Sequence, residues 1–325
     1  MSFFDRIQAV TEAVLTYRKK VRRIKKEKRE KKSQIRDWLE AFLWAACMVL
    51  LINQYFVQAY RIPSGSMIDT LNIGDHVFVN KLIYGPELLP GVLKVSSPIQ
   101  PKRNDIIIFE NPSYISRGPV FDIAQRVIYM LTLSLVDIDK DETGAQRVHF
   151  LIKRAVGTAG DHIVIREGNI LIRFAGENRW VTEEEYNAQR GWNHNITREV
   201  KLEDYSVIEA VGYAMAWNLD MQLQVPQKIL LETNKAANLR SFDYLAREEA
   251  RLEMLRMLAP NDTRYRVEWS KIKLGKYVQE GRLLPLGDNR DNSRDGREFG
   301  PVRLAKVLGK GMIIYWPLSG MGRIK

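Results

Sequence analysis

A chain of 325 residues with 45% hydrophobic and 10% aromatic side chains is long enough to bury a full core and is far from the composition of a disordered polymer. Its net charge of +11 is not spread like a nucleic-acid footprint: residues 18–32, "RKKVRRIKKEKREKK", hold eleven basic and two acidic side chains, a net +9, and the rest is near neutral. A single cysteine, Cys47, excludes an intramolecular disulfide and a cysteine-based metal cluster, and His76, His149, His162 and His194 have no metal-ligand spacing, so no metal or other cofactor is expected.

In chain order, residues 1–17 place apolar side chains at helical spacing and can lie along a membrane surface. With the basic run they form an arm over residues 1–36. Residues 37–59 follow as a transmembrane helix: from Trp38 to Tyr60 the text is apolar or aromatic apart from Glu40, Asn53, Gln54 and Gln58, and about 20 such residues cross a bilayer core. The basic flank holds the N-terminus in the cytoplasm and leaves everything after about residue 60 outside. It also attracts anionic lipid.

Beyond the span the pattern turns to short strands. "GDHVFVNKLIYG" (74–85) alternates, "NDIIIFENP" (104–112) and "VHFLIKRAVG" (148–157) are apolar runs, and "DHIVIREGNILIRF" (161–174) reads as a hairpin about Glu-Gly-Asn. "GKGMIIYWPL" (309–318) adds another strand. The expected fold is mainly β, an antiparallel sheet built from residues 60–175 and 275–325. It carries an insertion at 113–147, with a helix against the core or the membrane surface, and an inserted α/β subdomain at 176–274. In the latter, "SFDYLAREEARLEMLRML" predicts an amphipathic helix capped by Ser241 and stopped by "APND".

Three stretches carry candidate chemistry. "PSGSM" (63–67) offers Ser64 and Ser66, but a serine hydroxyl needs a base. His149 or His162 would have to supply a histidine base, and neither has a recognisable context. The alternative is Lys153 in "FLIKRAVG", which serves as a base only if desolvated or set beside another cation, here Arg154. "GDNRDNSRDGREFG" (287–300) is a polar loop without the glycine and terminal glutamate of an EF-hand. "SKIK" (270–273) matches a Ser-x-x-Lys string without its companion motifs and reads as chance.

Taken in order, "PSGSM" after a membrane span, "IKRAVG..GD" and "GDNRDNSRDGR" resemble the bacterial type I signal peptidases, the leader peptidases with a Ser-Lys dyad. The resemblance covers most of residues 37–175 and 275–318. It implies Ser66 as nucleophile, Lys153 as general base, and Ser64 with the backbone N–H of Ser66 as the oxyanion hole. It further implies that Ser293 orients the lysine, that Asp295 and Arg297 form a supporting salt bridge, and that Tyr60, Ile62 and Ile152 line pockets for small residues. The implied activity is removal of signal peptides from exported preproteins by a membrane-anchored serine endopeptidase, close to the secretion translocon. The alternative is an inactive membrane-anchored protein that holds exported peptides. Three departures from the family pattern stand out: Asp69 replaces a proline, "TAGD" replaces L-P-G-D, and Gly296 replaces a serine.

Overall fold

The computed structural model describes residues 3–30, 34–89, 93–95 and 97–324. It divides into two compact units, Met1–Leu51 and Ile52–Lys325. The first holds helix α1 (Phe3–Glu30) and most of helix α2 (Gln34–Tyr55). The basic run therefore continues the first helix as far as residue 30; residues 1, 2 and 31–33 lie outside the described residues. Among the described residues, one helix, Arg36–Tyr55, is long and apolar enough to cross a membrane. It stops short of the expected residue 59 because Val57–Arg61 form strand β1, and the Asn53 side chain receives the Ala59 N–H at 3.4 Å where the helix gives way.

In the second unit, β2 (His76–Asn80), β3 (Glu87–Leu89), β4 (Leu93–Lys94) and β5 (Ile106–Glu110) precede helix α3 (Pro119–Leu131). Strands β6 (Phe150–Gly157), β7 (His162–Arg166), β8 (Asn169–Arg173) and β9 (Val181–Thr182) follow. Then come helices α4 (Glu183–Gln189), α5 (Tyr205–Met215), α6 (Gln227–Thr233), α7 (Tyr244–Leu258) and α8 (Thr263–Leu274). The chain closes with β10 (Lys276–Tyr277), β11 (Arg282–Leu286), the single turn α9 (Gly296–Phe299), β12 (Val302–Arg303), β13 (Val307–Trp316) and β14 (Gly322–Arg323).

The main sheet has eight strands in the order β1-β2-β13-β5-β6-β11-β12, with β14 on β13, and every pairing is antiparallel. β5 explains why its sequence is a continuous apolar run. Ile106 and Ile108 enter one core with Tyr60, Met67 and Leu71, whereas Ile107 and Phe109 enter a second with Tyr84 and Leu283. A strand covered on both faces has no polar side to alternate. The smaller sheet, β10-β7-β8-β9, contains the expected hairpin. Glu167 and Gly168 both take positive φ (47° and 70°), as a two-residue turn between right-twisted strands requires.

The regular structure of residues 176–274 is almost wholly helical, and the strand share of the expected α/β subdomain is only Val181–Thr182. α5 packs closely on α7 because a Cβ at Gly212 would lie 2.3 Å from the Arg247 carbonyl oxygen. The N-cap of α7 is Asp243 rather than Ser241: its carboxylate accepts the Leu245 and Ala246 N–H groups. "APND" does end that helix, and its Asp262 also caps α8, on which the "SKIK" string sits. There Ser270 bonds the Arg266 carbonyl and Lys273 pairs with Glu249, so the string is a helix surface.

Candidate active site

The loop between β1 and β2 is anchored by its apolar residues. Met67 and Leu71 are fully buried, and the Leu71 N–H bonds the Met67 carbonyl at 2.7 Å. The loop is closed at its neck by Ile62 N–H to Asp75 O (2.8 Å) and Gly74 N–H to Ile62 O (2.9 Å). This leaves Ser64 exposed and sets Ser66 inward at 5% exposure.

Lys153 lies on β6, opposite Ile107 of β5, and is 2% exposed. Its ammonium group makes a short contact with the Ser66 hydroxyl. Burial pulls its pKa down to about 8; the negative charges of Asp295 and Asp288 resist that fall and Arg297 adds to it. A pKa of about 8 leaves about 20% of the side chain neutral at pH 7.4, against about 0.1% for an ordinary lysine. The two histidines lie elsewhere. His149 is held by Asp139 at 2.8 Å, and His162, on the smaller sheet, contacts the Leu274 carbonyl.

The polar loop after β11 backs onto this pair. Asn289 N–H bonds the Ser66 carbonyl at 3.1 Å. Asp288 receives a two-pronged ion pair from Arg154, Nε to Oδ1 at 2.8 Å and Nη2 to Oδ2 at 2.6 Å, and the Thr70 hydroxyl at 2.6 Å. Arg154 thus ties the strand carrying Lys153 to the loop that holds Ser66. Asp295 pairs with Arg297 (2.9 Å) and receives the Gly287 N–H (2.9 Å), and these acceptor contacts hold its carboxyl below the usual carboxylate range despite burial. The Ser293 hydroxyl is buried without a hydrogen-bond partner, so no bond from it to Lys153 is formed in this structure.

Two glycines explain themselves here. A Cβ on Gly287 would lie 2.2 Å from Ser293 Oγ and 2.6 Å from the Ser66 carbonyl, so only glycine lets these segments meet. At Gly296 a Cβ would meet Leu284 Cδ1 and the Pro285 carbonyl, both at 2.8 Å, so Leu284 fills the space of the serine expected there. In "TAGD", Asp161 receives the Thr158 N–H (2.6 Å) and Arg103 (2.6 Å), which closes the turn without the proline.

A segment with no motif also reaches the site. Thr197 pairs across Asn289, giving its N–H to the Asp288 carbonyl (2.9 Å) and receiving the Arg290 N–H (3.0 Å). Its hydroxyl contacts the Ile68 carbonyl (3.3 Å) and Asp69 (3.4 Å), so the departure at Asp69 is met by a side chain from the inserted region. Asp291 completes the clamp, receiving the Glu199 and Val200 N–H groups and Arg198.

Tyr60 and Ile62 line a cavity of about 270 Å³ together with Gln125, Tyr129 and Phe150, and Ile152 packs on the adjoining core without lining it. A larger cavity, about 640 Å³, lies beside it and shares His149. Ser66 and Lys153 line neither cavity. No group of three or more metal-ligating side chains occurs among the described residues.

Comparison with known proteins agrees with this architecture. Residues 35–316 match the family model described as signal peptidase, peptidase S26. The chain is 27% identical to a signal peptidase I of Aquifex aeolicus over 82% of its own length and 79% of the relative's. Against the signal peptidase I of Haemophilus influenzae it is 25% identical, covering 90% and 73%, and against that of Pseudomonas aeruginosa 23%, covering 92% and 79%.

Proposed function

The chain belongs to the signal peptidase family, peptidase S26, a family of peptide-bond hydrolases that removes signal peptides, and on that premise we propose that it cleaves through a Ser66–Lys153 dyad while anchored in the bacterial cytoplasmic membrane by α2. The observation that carries this reading is the contact of a buried, pKa-lowered Lys153 with the Ser66 hydroxyl.

Neutral Lys153 takes the Ser66 proton as Oγ attacks the scissile carbonyl carbon. The resulting oxyanion is held by the Ser66 N–H and the Ser64 hydroxyl, donors of a kind worth about 100- to 1,000-fold in rate. Collapse breaks the C–N bond, and the Lys153 ammonium gives its proton to the departing amine. Water, deprotonated by the again neutral Lys153, then attacks the ester carbonyl, and collapse breaks the C–O bond as Lys153 returns the proton to Ser66 Oγ. Asp295–Arg297 and Arg154–Asp288 act as supports, and Ser293, with a free buried hydroxyl, orients the lysine once the substrate excludes water. Tyr60, Ile62 and Ile152 shape the subsites. A serine and a lysine already in contact argue against the inactive peptide holder.

The basic arm, residues 1–36, sits in the cytoplasm and the catalytic parts, 60–175 and 275–325, outside, where they meet exported preproteins near the translocon. Sequencing the new N-terminus of a preprotein cut by the detergent-solubilised protein tests the chemistry: cleavage after an A-x-A-like segment is expected, and full cleavage by Ser66→Ala removes the dyad. Protease added outside spheroplasts tests the topology, which fails if residues 60–325 are protected.

A further inference from the structure

The insertion between β5 and β6 lends a polar wall to the 270 Å³ cavity. Tyr60 and Phe150 reach that cavity from the main sheet, whereas Gln125 comes from α3 and Ser134 and Asp137 from the loop that follows. Gln125 is 2% exposed, and its Nε2 donates to Asp137 at 2.9 Å. A carboxylate only accepts, so this bond fixes which end of the amide is which. Asp137 is held in turn by the Asp139 N–H at 3.0 Å. Gln125 Oε1 is left buried and without a hydrogen-bond partner. An acceptor in that state is costly, and one on the wall of a cavity marks where a donor from a ligand fits. Ser134, 4% exposed, adds a hydroxyl to the same wall.

What that donor is follows from the cavity's position and charge. Ile62 and Pro63 line it and lead directly into Ser64 and Ser66, so a peptide laid across the nucleophile runs past it. An extended peptide alternates its side chains. Small residues turned to the Tyr60 and Ile62 side therefore leave the residues between and before them facing the insertion. Arg61 and Arg147 also line the cavity, against one carboxylate, Asp137, which disfavours a cationic donor. A neutral one remains, a hydroxyl or a primary amide.

We propose that Gln125, with Ser134, forms a polar subsite that reads the signal-peptide residue alternating with the two small ones, and that it prefers a neutral side chain able to donate a hydrogen bond, that of Ser, Thr, Asn or Gln. This rests on the reading of the chain as an endopeptidase that cuts after an A-x-A-like segment. The insertion at 113–147 is then a specificity element, and the main sheet supplies the apolar half of the cavity.

The detergent-solubilised full chain is given preproteins that differ only at the residue between the two alanines, or at the one just before them. One series carries Thr or Val there, side chains of nearly the same shape, and a second carries Asn or Leu. At one of these positions kcat/KM is expected to be about tenfold higher for Thr than for Val, the scale of pairing one buried acceptor, and higher for Asn than for Leu. Gln125→Met should bring each ratio to within about twofold. A fold merely loosened by the substitution lowers both members of a pair alike and keeps the ratio, so a ratio that survives in Gln125→Met overturns the subsite. Equal cleavage within both pairs at both positions by the wild type, a comparison that needs no variant, overturns it as well. If the wild type cleaves no member of either series, the proposed function fails, and the subsite with it.

Discussion

Lys153 and Lys81 are both 2% exposed, both pulled down to about 8, and both chiefly by burial. They differ in what they face. Lys153 meets the hydroxyl of Ser66. Lys81 donates to the Gln58 amide oxygen at 3.1 Å, with Glu87, Arg126 and Lys94 around it, and that same oxygen receives the Tyr60 hydroxyl at 2.9 Å. An amide oxygen has no proton to surrender. Desolvation lowers both amines alike, and of the two only Lys153 has a serine hydroxyl beside it. A shifted pKa marks a buried lysine; a reacting hydroxyl within reach marks a site.

The sharpest way to break this comparison is to remove each amine in turn. Lys153→Ala should cost about 1,000-fold or more in preprotein cleavage, in the upper range for a general base, while Lys81→Met should stay within about threefold, as for a change away from the reacting atoms. Comparable losses would mean that burial, not the neighbour, is what matters. Next is the pH profile: kcat/KM should rise about tenfold per pH unit below 8 and level off above it, and Lys81→Met should keep that profile. A rate that is flat from pH 6 to 9 would exclude Lys153 as the base.

Stability gives a smaller effect in which the two lysines behave alike. Both have folded pKa values below their unfolded ones, so between about pH 8 and 10.5 the unfolded chain binds more protons and each lysine's contribution to stability increases with pH. The contribution is fully present above the unfolded pKa and is lost as pH falls through 8. Urea unfolding at pH 7.5 and 9.5 should show a shallower rise for Lys153→Met and for Lys81→Met than for wild type; an unchanged slope would mean that neither amine is desolvated. The smallest effect is at the clamp. Thr197→Val should lower kcat a few-fold at unchanged KM, about 1 kcal/mol for the long contacts its hydroxyl makes with Ile68 and Asp69, with Thr197→Ser restoring it.

What the chain announced in advance was what has a local pattern. The run Ile106–Phe109 and the Glu167–Gly168 turn could be read because a strand buried on two faces and a two-residue hairpin each leave a signature within a few residues. The three motifs that meet at Ser66 were legible for the same reason. Lys81 was not, since "VNKLIYG" reads as a strand running into a turn and nothing in it says that its lysine is enclosed. Asp243 and Ser241 are both capping residues two positions apart, and only backbone geometry chooses between them. Thr197 had no signal at all: a single bridge to Asn289, 92 residues later, leaves no periodicity. Gly287 was visible as a glycine, but the close approach that requires it exists only once Ser66 and Ser293 are folded against it.

In the main sheet β13 lies between β2 and β5, although both precede it in the chain by about 200 residues or more. Ser66 belongs to the β1–β2 side of that strand and Lys153, on β6, to the β5 side. Ser66 and Lys153 are therefore carried on separate strand pairs, joined in one sheet by Val307–Trp316, which begins 154 residues after Lys153 (307 − 153). The proposed dyad is thus completed by the last long strand of the chain.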